Sequence, residues 1–291
     1  MKANPNKKNL AKMLILFSIL ACFVLGTCAA VSRTQSPAKV MGVFWQPDSN
    51  SVPSGNWDLL GAHTFVPQFG MVNAKSWFPA GNMPQWENLP NWENVQKQPW
   101  SKHLILGLSG EYNEINARAH VKQHAATSQK FLQQVTLSHP PQGYYFPVEA
   151  DPTWLRVNEL GKALQSLPSP LWVSIYSAEA EPEFYDAWLN SWLPSNTNVF
   201  FQDGVGTGTR TPAQALKIAK QLQQKFGQKR IVLVLEAFRP TKNGGFRAAY
   251  PWEIIQQLKT YENQNVFIFD GPHYMDRSTV YAVALWQKLA Y

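Results

Sequence analysis

Four acidic residues each end a short apolar run of the sequence. Glu149 ends "YYFPVE", Asp203 ends "VFFQD", Glu236 ends "IVLVLE" and Asp270 ends "VFIFD". The whole chain has only 19 acidic residues, so four at such places exceed what a random distribution would give. A carboxylate beside buried apolar segments costs desolvation energy unless it is paired or used. Carboxylates that converge on one place shift each other's pKa, which suits proton transfer.

Paired carboxylates of this kind suit glycoside hydrolysis. One carboxylic acid protonates the leaving oxygen, and a second carboxylate attacks the sugar or activates water. We expect Glu149 and Glu236 to form this pair and Asp203 to be a third catalytic residue that positions a neighbour or shifts its pKa. The alternative for any single acid is a structural role, such as a helix cap or, for Asp203, an ion pair with Arg210.

The segment "FFQDGVGTGTRTP", residues 200–212, has glycines at three alternate positions after an apolar run. Dinucleotide-binding loops need G-x-G-x-x-G, and P-loops need G-x-x-x-x-G-K-[ST]; neither pattern is present. We therefore interpret the segment as the end of a buried strand that presents Asp203. Gly204 and Gly206 then allow the chain to turn away sharply and leave space above the carboxylate.

The elements that position these acids are eight apolar runs without polar alternation, as expected for strands buried on both faces. Helical patterns separate the later runs. Eight strands alternating with helices predict an α/β fold, a (β/α)8 TIM barrel, in which active sites lie at the carboxyl ends of the strands. A doubly wound open sheet is the alternative. The predicted strands are 39–45, 63–69, 103–109, 143–149, 171–177, 198–203, 230–236 and 265–270.

One domain is expected over residues 39–291, because a barrel of this length is commonly a single domain. The stretch 70–101 is rich in Trp, Pro and Asn and lacks a clear helical pattern, so we interpret it as a loop inserted after the second strand. Helices are predicted by apolar spacing or capping signals. They lie at 111–138, 183–193, 213–226, from 251 onward, and 276–289.

The motifs "YYFPVEADPTW" and "FFQDGVG", together with Glu236, carry a resemblance to known families. Acids on strands four and seven resemble the superfamily of retaining glycosidases, although Val148 stands where that superfamily usually has Asn. The chain more closely resembles a bacterial family of glycoside-hydrolase-like barrels known as a domain of unknown function. That resemblance implies a carbohydrate substrate and implies that Glu149, Asp151, Gln202 and Asp203 belong to the site.

Further residues at presumed strand ends and in the loops beyond them are expected to bind the sugar, through aromatic stacking or hydrogen bonds. The basic loop at 239–250 suggests an anionic glycan, unless its charges simply neutralise nearby acids. The expected substrate-binding residues are Trp45, Gln68, Asp151, Trp154, Tyr176, Gln202, Arg239, Asp270, His273 and Tyr274.

The N-terminal residues predict export. Four lysines precede an uncharged stretch, Met13 to Leu25, and small residues follow, as in a signal peptide. We assign 1–30 to a signal peptide or membrane anchor and 31–38 to a linker. Without residues 1–30, 22 basic residues stand against 19 acidic ones, a net charge of +3 instead of +7. That charge gives no reason to expect a nucleic-acid partner, and both cysteines leave with the segment.

The sequence lacks the motifs of metal sites and of Ser-His-Asp catalytic sites. The six histidines do not form H-E-x-x-H, and no G-x-S-x-G elbow is present, so neither a metal nor another cofactor is expected. His120 and His124 are expected on a solvated helix surface. The expected function is a periplasmic or secreted glycoside hydrolase acting on a polysaccharide. The alternative is a non-catalytic carbohydrate-binding or exopolysaccharide-secretion protein on the same fold; a barrel enzyme that holds a phosphate is a third.

Overall fold

A computed structural model describes residues 36–178 and 182–290 of the chain. Eight parallel strands form a closed barrel in which each strand pairs with its neighbours in chain order, and the last pairs with the first. This confirms the predicted (β/α)8 TIM barrel and excludes the open sheet. The strands are β1 Lys39–Trp45, β2 Thr64–Pro67, β3 His103–Gly107, β4 Gly143–Ala150, β5 Leu171–Ile175, β6 Thr197–Gln202, β7 Ile231–Glu236 and β8 Asn265–Phe269.

Alternation along each strand separates two hydrophobic cores. Successive side chains of a strand point to opposite faces, so every second residue faces the barrel interior. The interior core contains Phe44, Val66, Ile105, Tyr145, Phe200, Val232, Val234 and Phe267. The residues between these, such as Val43, Phe201 and Leu235, pack in the larger core between barrel and helices.

The outer helices follow the strands at their carboxyl ends. Thr211 and Gln214 form a capping box at the start of the helix Pro212–Phe226, with Pro212 in the first turn. Val157–Gln165 is a helix that the sequence analysis did not predict, and His120 divides the helical segment after β3 into two. The helices are α1 Glu114–Ala119, α2 Val121–Gln134, α3 Val157–Gln165, α4 Pro182–Trp192, α5 Pro212–Phe226, α6 Pro251–Thr260 and α7 Arg277–Ala290.

The segment 70–101 carries short elements of its own. Met71–Val72 pairs with Lys75–Ser76 and with Ser109–Gly110 in a small sheet, and Trp92–Gln96 forms a helix of 5 residues. A 3-10 turn at Pro99–Ser101 leads into β3. Several aromatic side chains of the segment are buried against the outer side of the barrel; they are Trp77, Phe78, Trp92 and Trp100.

The predicted signal peptide or anchor at 1–30, and residues 31–35 of the predicted linker, lie outside the described residues. In the described ranges, no helix is both long enough and apolar enough to cross a membrane.

Candidate functional site

The carboxyl ends of the strands present a polar layer above the apolar interior core. Side chains alternate along each strand, and this alternation points Tyr145, Phe200 and Val234 into the barrel. The residues two or four positions later on the same strands therefore point toward the mouth of the barrel. These residues are Gln68 beyond β2, Glu149 on β4, Tyr176 beyond β5, Gln202 on β6 and Glu236 on β7. The predicted acid pair therefore lies on the inner face, from strands that are three apart in the ring.

Glu236 is buried at the base of this layer. Its Oε2 accepts hydrogen bonds from the backbone N–H groups of Gly206 at 2.8 Å and Thr207 at 3.3 Å. A Cβ on Gly206 would lie 2.7 Å from the Glu236 Cβ, so only glycine lets the loop after β6 cover the carboxyl group this closely. Burial first, and the charge of Asp203 second, raise the pKa of Glu236 to about 8, although the two N–H groups oppose the shift.

Glu149 is partly exposed at the mouth. Its Oε1 accepts a hydrogen bond of 2.5 Å from the Nε2 of Gln202, an inner-face residue of β6. Burial raises the pKa of Glu149, while the Gln202 hydrogen bond and the charge of Arg118 oppose that rise. The charge of Glu149 in turn raises the pKa of Glu236, so the two carboxyl groups interact electrostatically across the mouth.

Glu114, at the start of α1, is a site residue that the sequence analysis missed. Its Oε1 accepts the backbone N–H of Glu149 at 2.7 Å and lies 3.3 Å from the Nε of Arg118. Arg118 also donates to the backbone carbonyl of Glu149 at 3.1 Å. Burial and the Glu149 charge raise the pKa of Glu114 to about 8. The sequence signal was the acid directly after Asn113, the N-cap of a helix that follows a strand end.

Asp203 points away from the mouth, because it stands one position beyond the inward-facing Gln202. Its Oδ2 accepts from Gln257 Nε2 and from the Tyr261 hydroxyl, both at 2.8 Å, and its Oδ1 accepts from the backbone N–H groups of Val205 and Glu236. Burial raises the pKa of Asp203 to about 6 against these donors. With every acceptor position used inside the protein, Asp203 acts on Glu236 and does not face a substrate.

Asp270 is likewise buried on the outer side. Its Oδ2 accepts the backbone N–H of Gln46 at 2.6 Å and contacts the Nδ1 of His273 at 2.9 Å. The Nε2 of His273 lies 3.3 Å from an oxygen of Asp48 in the loop after β1. These two carboxylates raise the pKa of His273 to about 9. Both residues therefore connect the loops after β1 and β8, and neither ring nitrogen of His273 is directed to a substrate.

Two further predicted substrate-binding residues, Trp45 and Arg239, point away from the mouth. Trp45 is 0% exposed, packs against Phe65 and Trp77, and donates its indole N–H to Ser51. Arg239 turns inward between barrel and α6, where it bonds Gln257 and the carbonyl of Glu236. Trp45 is an outward-facing strand residue, and its side chain fills the outer core.

Both arginines of the basic loop after β7 lie beside one acidic side chain. Arg247 binds the carboxylate of Glu253 through both of its terminal nitrogens, at 2.8 and 3.0 Å. The Nε of Arg239 lies 3.7 Å from the same carboxylate. For these two arginines the geometry favours the interpretation that the loop charges neutralise an acid, which is Glu253 on α6, whereas Lys242 is exposed.

The other predicted binding residues lie around the mouth. Tyr176 is partly exposed, with its hydroxyl 3.1 Å from Thr209. Gln68 is buried, and its Oε1 accepts no hydrogen bond within the described ranges. Asp151 accepts from Thr153 in the turn before α3, Trp154 is nine-tenths buried beside Arg118, and the half-exposed Tyr274 packs on Phe238. Gln68 and Tyr176 remain available to a substrate.

The expectation for His124 was wrong. It is buried, with its Nε2 3.2 Å from Glu111 and its Nδ1 3.3 Å from Ser109, because this side of α2 faces the loop after β3. Burial lowers the pKa of His124. In the part of the chain that the structure describes, no three His, Cys, Asp or Glu side chains are arranged to hold a metal ion.

Known proteins show similarity to this chain at the level of the fold. No protein-family model matches it, and no curated protein does. Among solved structures it is similar to a protein from Bacteroides thetaiotaomicron VPI-5482, provisionally described as an alpha-L-fucosidase, with 13% identity and a TM-score of 0.59. The match covers 87% of this chain and 94% of that chain. The match shows that the two chains share the TIM-barrel fold.

Proposed function

We propose that this protein is a glycoside hydrolase that cleaves a polysaccharide at the mouth of its barrel. The observation that carries the proposal is the pair Glu149 and Glu236: two inward-facing carboxyl groups on β4 and β7 whose charges interact. Among the described residues, neither carboxylate forms an ion pair with Lys or Arg. Both groups are thus free to exchange protons with a substrate, which a purely structural pair would not need.

We assign different roles to the two acids from their environments. Glu236 has a pKa of about 8 because it is buried beside the charge of Asp203, so it carries a proton at neutral pH. Burial raises the pKa of Glu149 as well, but the hydrogen bond from Gln202 and the positive charge of Arg118 oppose that rise and favour its ionised form. We therefore propose Glu236 as the proton donor and Glu149 as the carboxylate that attacks. The resemblance to retaining glycosidases implies the reverse order, with the acid/base on strand four and the nucleophile on strand seven.

The proposed reaction has two steps with retention of configuration. In the first, Glu149 bonds to the anomeric carbon while Glu236 gives its proton to the leaving oxygen as the glycosidic bond breaks. In the second, Glu236 takes a proton from water as the water oxygen displaces Glu149. Gln202 holds the Glu149 carboxylate in place, and Arg118 and Glu114 fix the backbone on both sides of it.

The remaining expectations belong to the same proposal. We propose membership of the domain-of-unknown-function family on the "VEAD" and "QDGVG" motifs, and periplasmic or secreted localisation on the pattern of residues 1–30. The partner is a polysaccharide or oligosaccharide. A non-catalytic sugar-binding protein on this fold would keep the same mouth but release no reducing ends.

The test is hydrolysis of a polysaccharide panel by the purified protein, measured as new reducing ends. We expect Glu149→Gln and Glu236→Gln each to lower the rate at least about 100-fold, the usual size of an acid–base contribution. Glu93→Gln is the matched control, because Glu93 is exposed on a short helix of the segment 70–101. Both variants should keep the circular dichroism spectrum of the wild type.

Azide rescue distinguishes the two roles. Azide should restore turnover to Glu149→Gln with an inverted glycosyl azide and to Glu236→Gln with a retained one, if Glu149 is the nucleophile. A retained glycosyl azide from Glu149→Gln and an inverted one from Glu236→Gln would instead make Glu236 the nucleophile and Glu149 the proton donor. Wild-type turnover in either variant would remove that residue from the mechanism, and binding without any released reducing ends would favour the non-catalytic protein.

A further inference from the structure

A pocket outside the paired carboxyl groups lies at the same end of the barrel. Its lining comes from the loop after β1 and from the segment 70–101, and it encloses a cavity of about 210 Å³. Pockets that combine an aromatic surface with a few polar side chains are the usual form of small-molecule sites. The lining residues, here called the Trp86 pocket, are Ser49, Lys75, Trp77, Trp86, Glu87 and Asn88.

We propose that the Trp86 pocket binds one neutral pyranose residue of a glycan, with the ring of Trp86 as the stacking surface. This inference rests on the proposed function, since it takes the ligand to be part of the polysaccharide that reaches the mouth. It adds a binding site outside the carboxyl pair and a substrate class, a glycan without acidic groups.

The aromatic surface is rigid. Trp86 stacks on the buried Trp77, with ring centroids 5.0 Å apart and planes inclined by 13°. Trp77 in turn packs edge-on against Trp45 in the outer core, at 5.8 Å. One face of Trp86 is thereby fixed to the barrel, and little conformational freedom is lost when a ligand covers the other face.

Lys75 lies over the ring of Trp86. The Nζ of Lys75 lies 5.2 Å from the ring centroid, and Lys75 is exposed. Cation–π contacts at exposed sites are weak, and a lysine side chain has many alternative rotamers. A sugar ring can therefore take the place of the ammonium group on the indole, and Lys75 can then donate to a sugar hydroxyl.

The charge of the pocket favours a neutral ligand. Lys75 supplies one positive charge and Glu87 one negative charge, while Ser49 and Asn88 supply hydroxyl and amide groups. Sugar hydroxyls both donate and accept, so they match this mixture, whereas a uronate would face Glu87. The arginines after β7 do not alter this preference, since Glu253 binds both Arg239 and Arg247.

The test is binding of the full-length protein to an array of neutral and uronate-containing oligosaccharides. A Glu149→Gln, Glu236→Gln double variant prevents turnover during the measurement. We expect binding of at least one neutral glycan, unchanged by salt, and weakened about tenfold or more by Trp86→Ala, as for a central aromatic contact. Trp252→Ala is the matched control, because Trp252 is an exposed tryptophan on α6 outside the pocket.

Glu87→Ala is a second variant that leaves the packed indoles untouched, and it should also weaken binding several-fold. Unchanged affinity in both variants, no neutral glycan bound, or salt-sensitive binding of uronate glycans alone would overturn the inference. Failure of the proposed function looks different. If binding depends on Trp86 but the wild-type protein hydrolyses no glycan, the pocket is supported and the hydrolase function is rejected. If the wild-type protein hydrolyses a glycan but binding does not depend on Trp86, the hydrolase function is supported and the pocket is rejected.

Discussion

Glu236 experiences opposing influences that come from different parts of the chain. Burial and the neighbouring Asp203 charge favour its protonated form, and the N–H groups of Gly206 and Thr207 favour its charge. The net pKa of about 8 lies above the ordinary value for glutamate. If Glu236 donates the proton, activity is present below about pH 8 and is lost as the pH rises through it.

Asp203→Asn should move that alkaline limit to lower pH, because it removes the charge that raises the pKa of Glu236. The variant should also lose about 1–3 kcal/mol of unfolding free energy, since an amide cannot accept from all four donors. The pH dependence of kcat/KM measures the shift. Tyr261→Phe is the control: it removes one donor and keeps the charge, so its limit should stay close to that of the wild type. If the alkaline limit of Asp203→Asn equals that of the wild type, Asp203 does not affect the proton donor.

At the scale of elements, the short helix α1 supports the end of β4. It supplies Glu114 and Arg118, which bind the backbone N–H and carbonyl of Glu149 from the same helical turn, 4 residues apart. The helix thereby contributes a positive charge near the Glu149 carboxylate and holds its backbone. A second element contact, Asp48–His273–Asp270, joins the loops after β1 and β8.

Arg118→Met should raise the pKa of Glu149, because the Arg118 charge lowers it in the wild type. If the ionised form of Glu149 attacks the sugar, the acidic limit of the pH–rate profile should then move to higher pH. Arg156→Met is the control, since Arg156 is exposed in the turn before α3. Equal acidic limits in Arg118→Met and the wild type would show that Arg118 does not act on the reacting carboxylate.

His273→Gln should destabilise the protein more at pH 6 than at pH 9.5. The pKa of His273 is raised from 6.5 to about 9 in the folded protein, so its stabilising charge is fully present below about pH 6.5 and is lost as the pH rises through about 9. At pH 6 we expect a loss of about 1–3 kcal/mol, because the buried Asp270 loses its charged partner. Urea denaturation at both pH values measures it, with the exposed His139→Gln as control. An equal loss at both pH values would contradict the assignment.

At the scale of the whole molecule, closing eight strands into a barrel requires close backbone approaches. Gly107 is the last residue of β3, and a Cβ there would lie 2.2 Å from the carbonyl oxygen of Pro67 on β2. Gly42 on β1 has a similar position against Thr64, at 2.3 Å. These glycines let neighbouring strands pair where the barrel curves.

Gly107→Ala should therefore lower the unfolding free energy by about 1–3 kcal/mol or more, the cost of overpacking a core site. Urea denaturation with an unchanged m-value checks this and shows that unfolding is still two-state. The activity should fall as well, since Gly107 precedes the loop that leads to α1 and Glu114. A denaturation midpoint equal to that of the wild type would contradict this prediction, since it would mean that β2 and β3 can move apart slightly without a loss of unfolding free energy.

The sequence alone determined the barrel and the position of the acid pair. Eight apolar runs predicted eight strands, and Glu149 and Glu236 end two of them on the inner face. The two-residue period of a strand also predicts that Gln202 points into the barrel and Asp203 points outward, because Phe200, two positions before Gln202, points inward. Helix α3 was missed, since "VNELGKALQ" lacks the strong capping signals that mark α5.

Only the tertiary structure decided what each acid does. Asp203 is bound by Gln257 and Tyr261, which are 54 and 58 residues later in the chain, and Glu149 is bound by Glu114 and Arg118 from the preceding connection. No local pattern contains these pairs. A carboxyl pKa depends on burial and on charges a few ångströms away through space, and those neighbours are set by how distant loops pack over the mouth. Local periodicity is therefore enough to predict where the strands end, whereas the folded barrel is needed to identify which carboxyl group donates a proton.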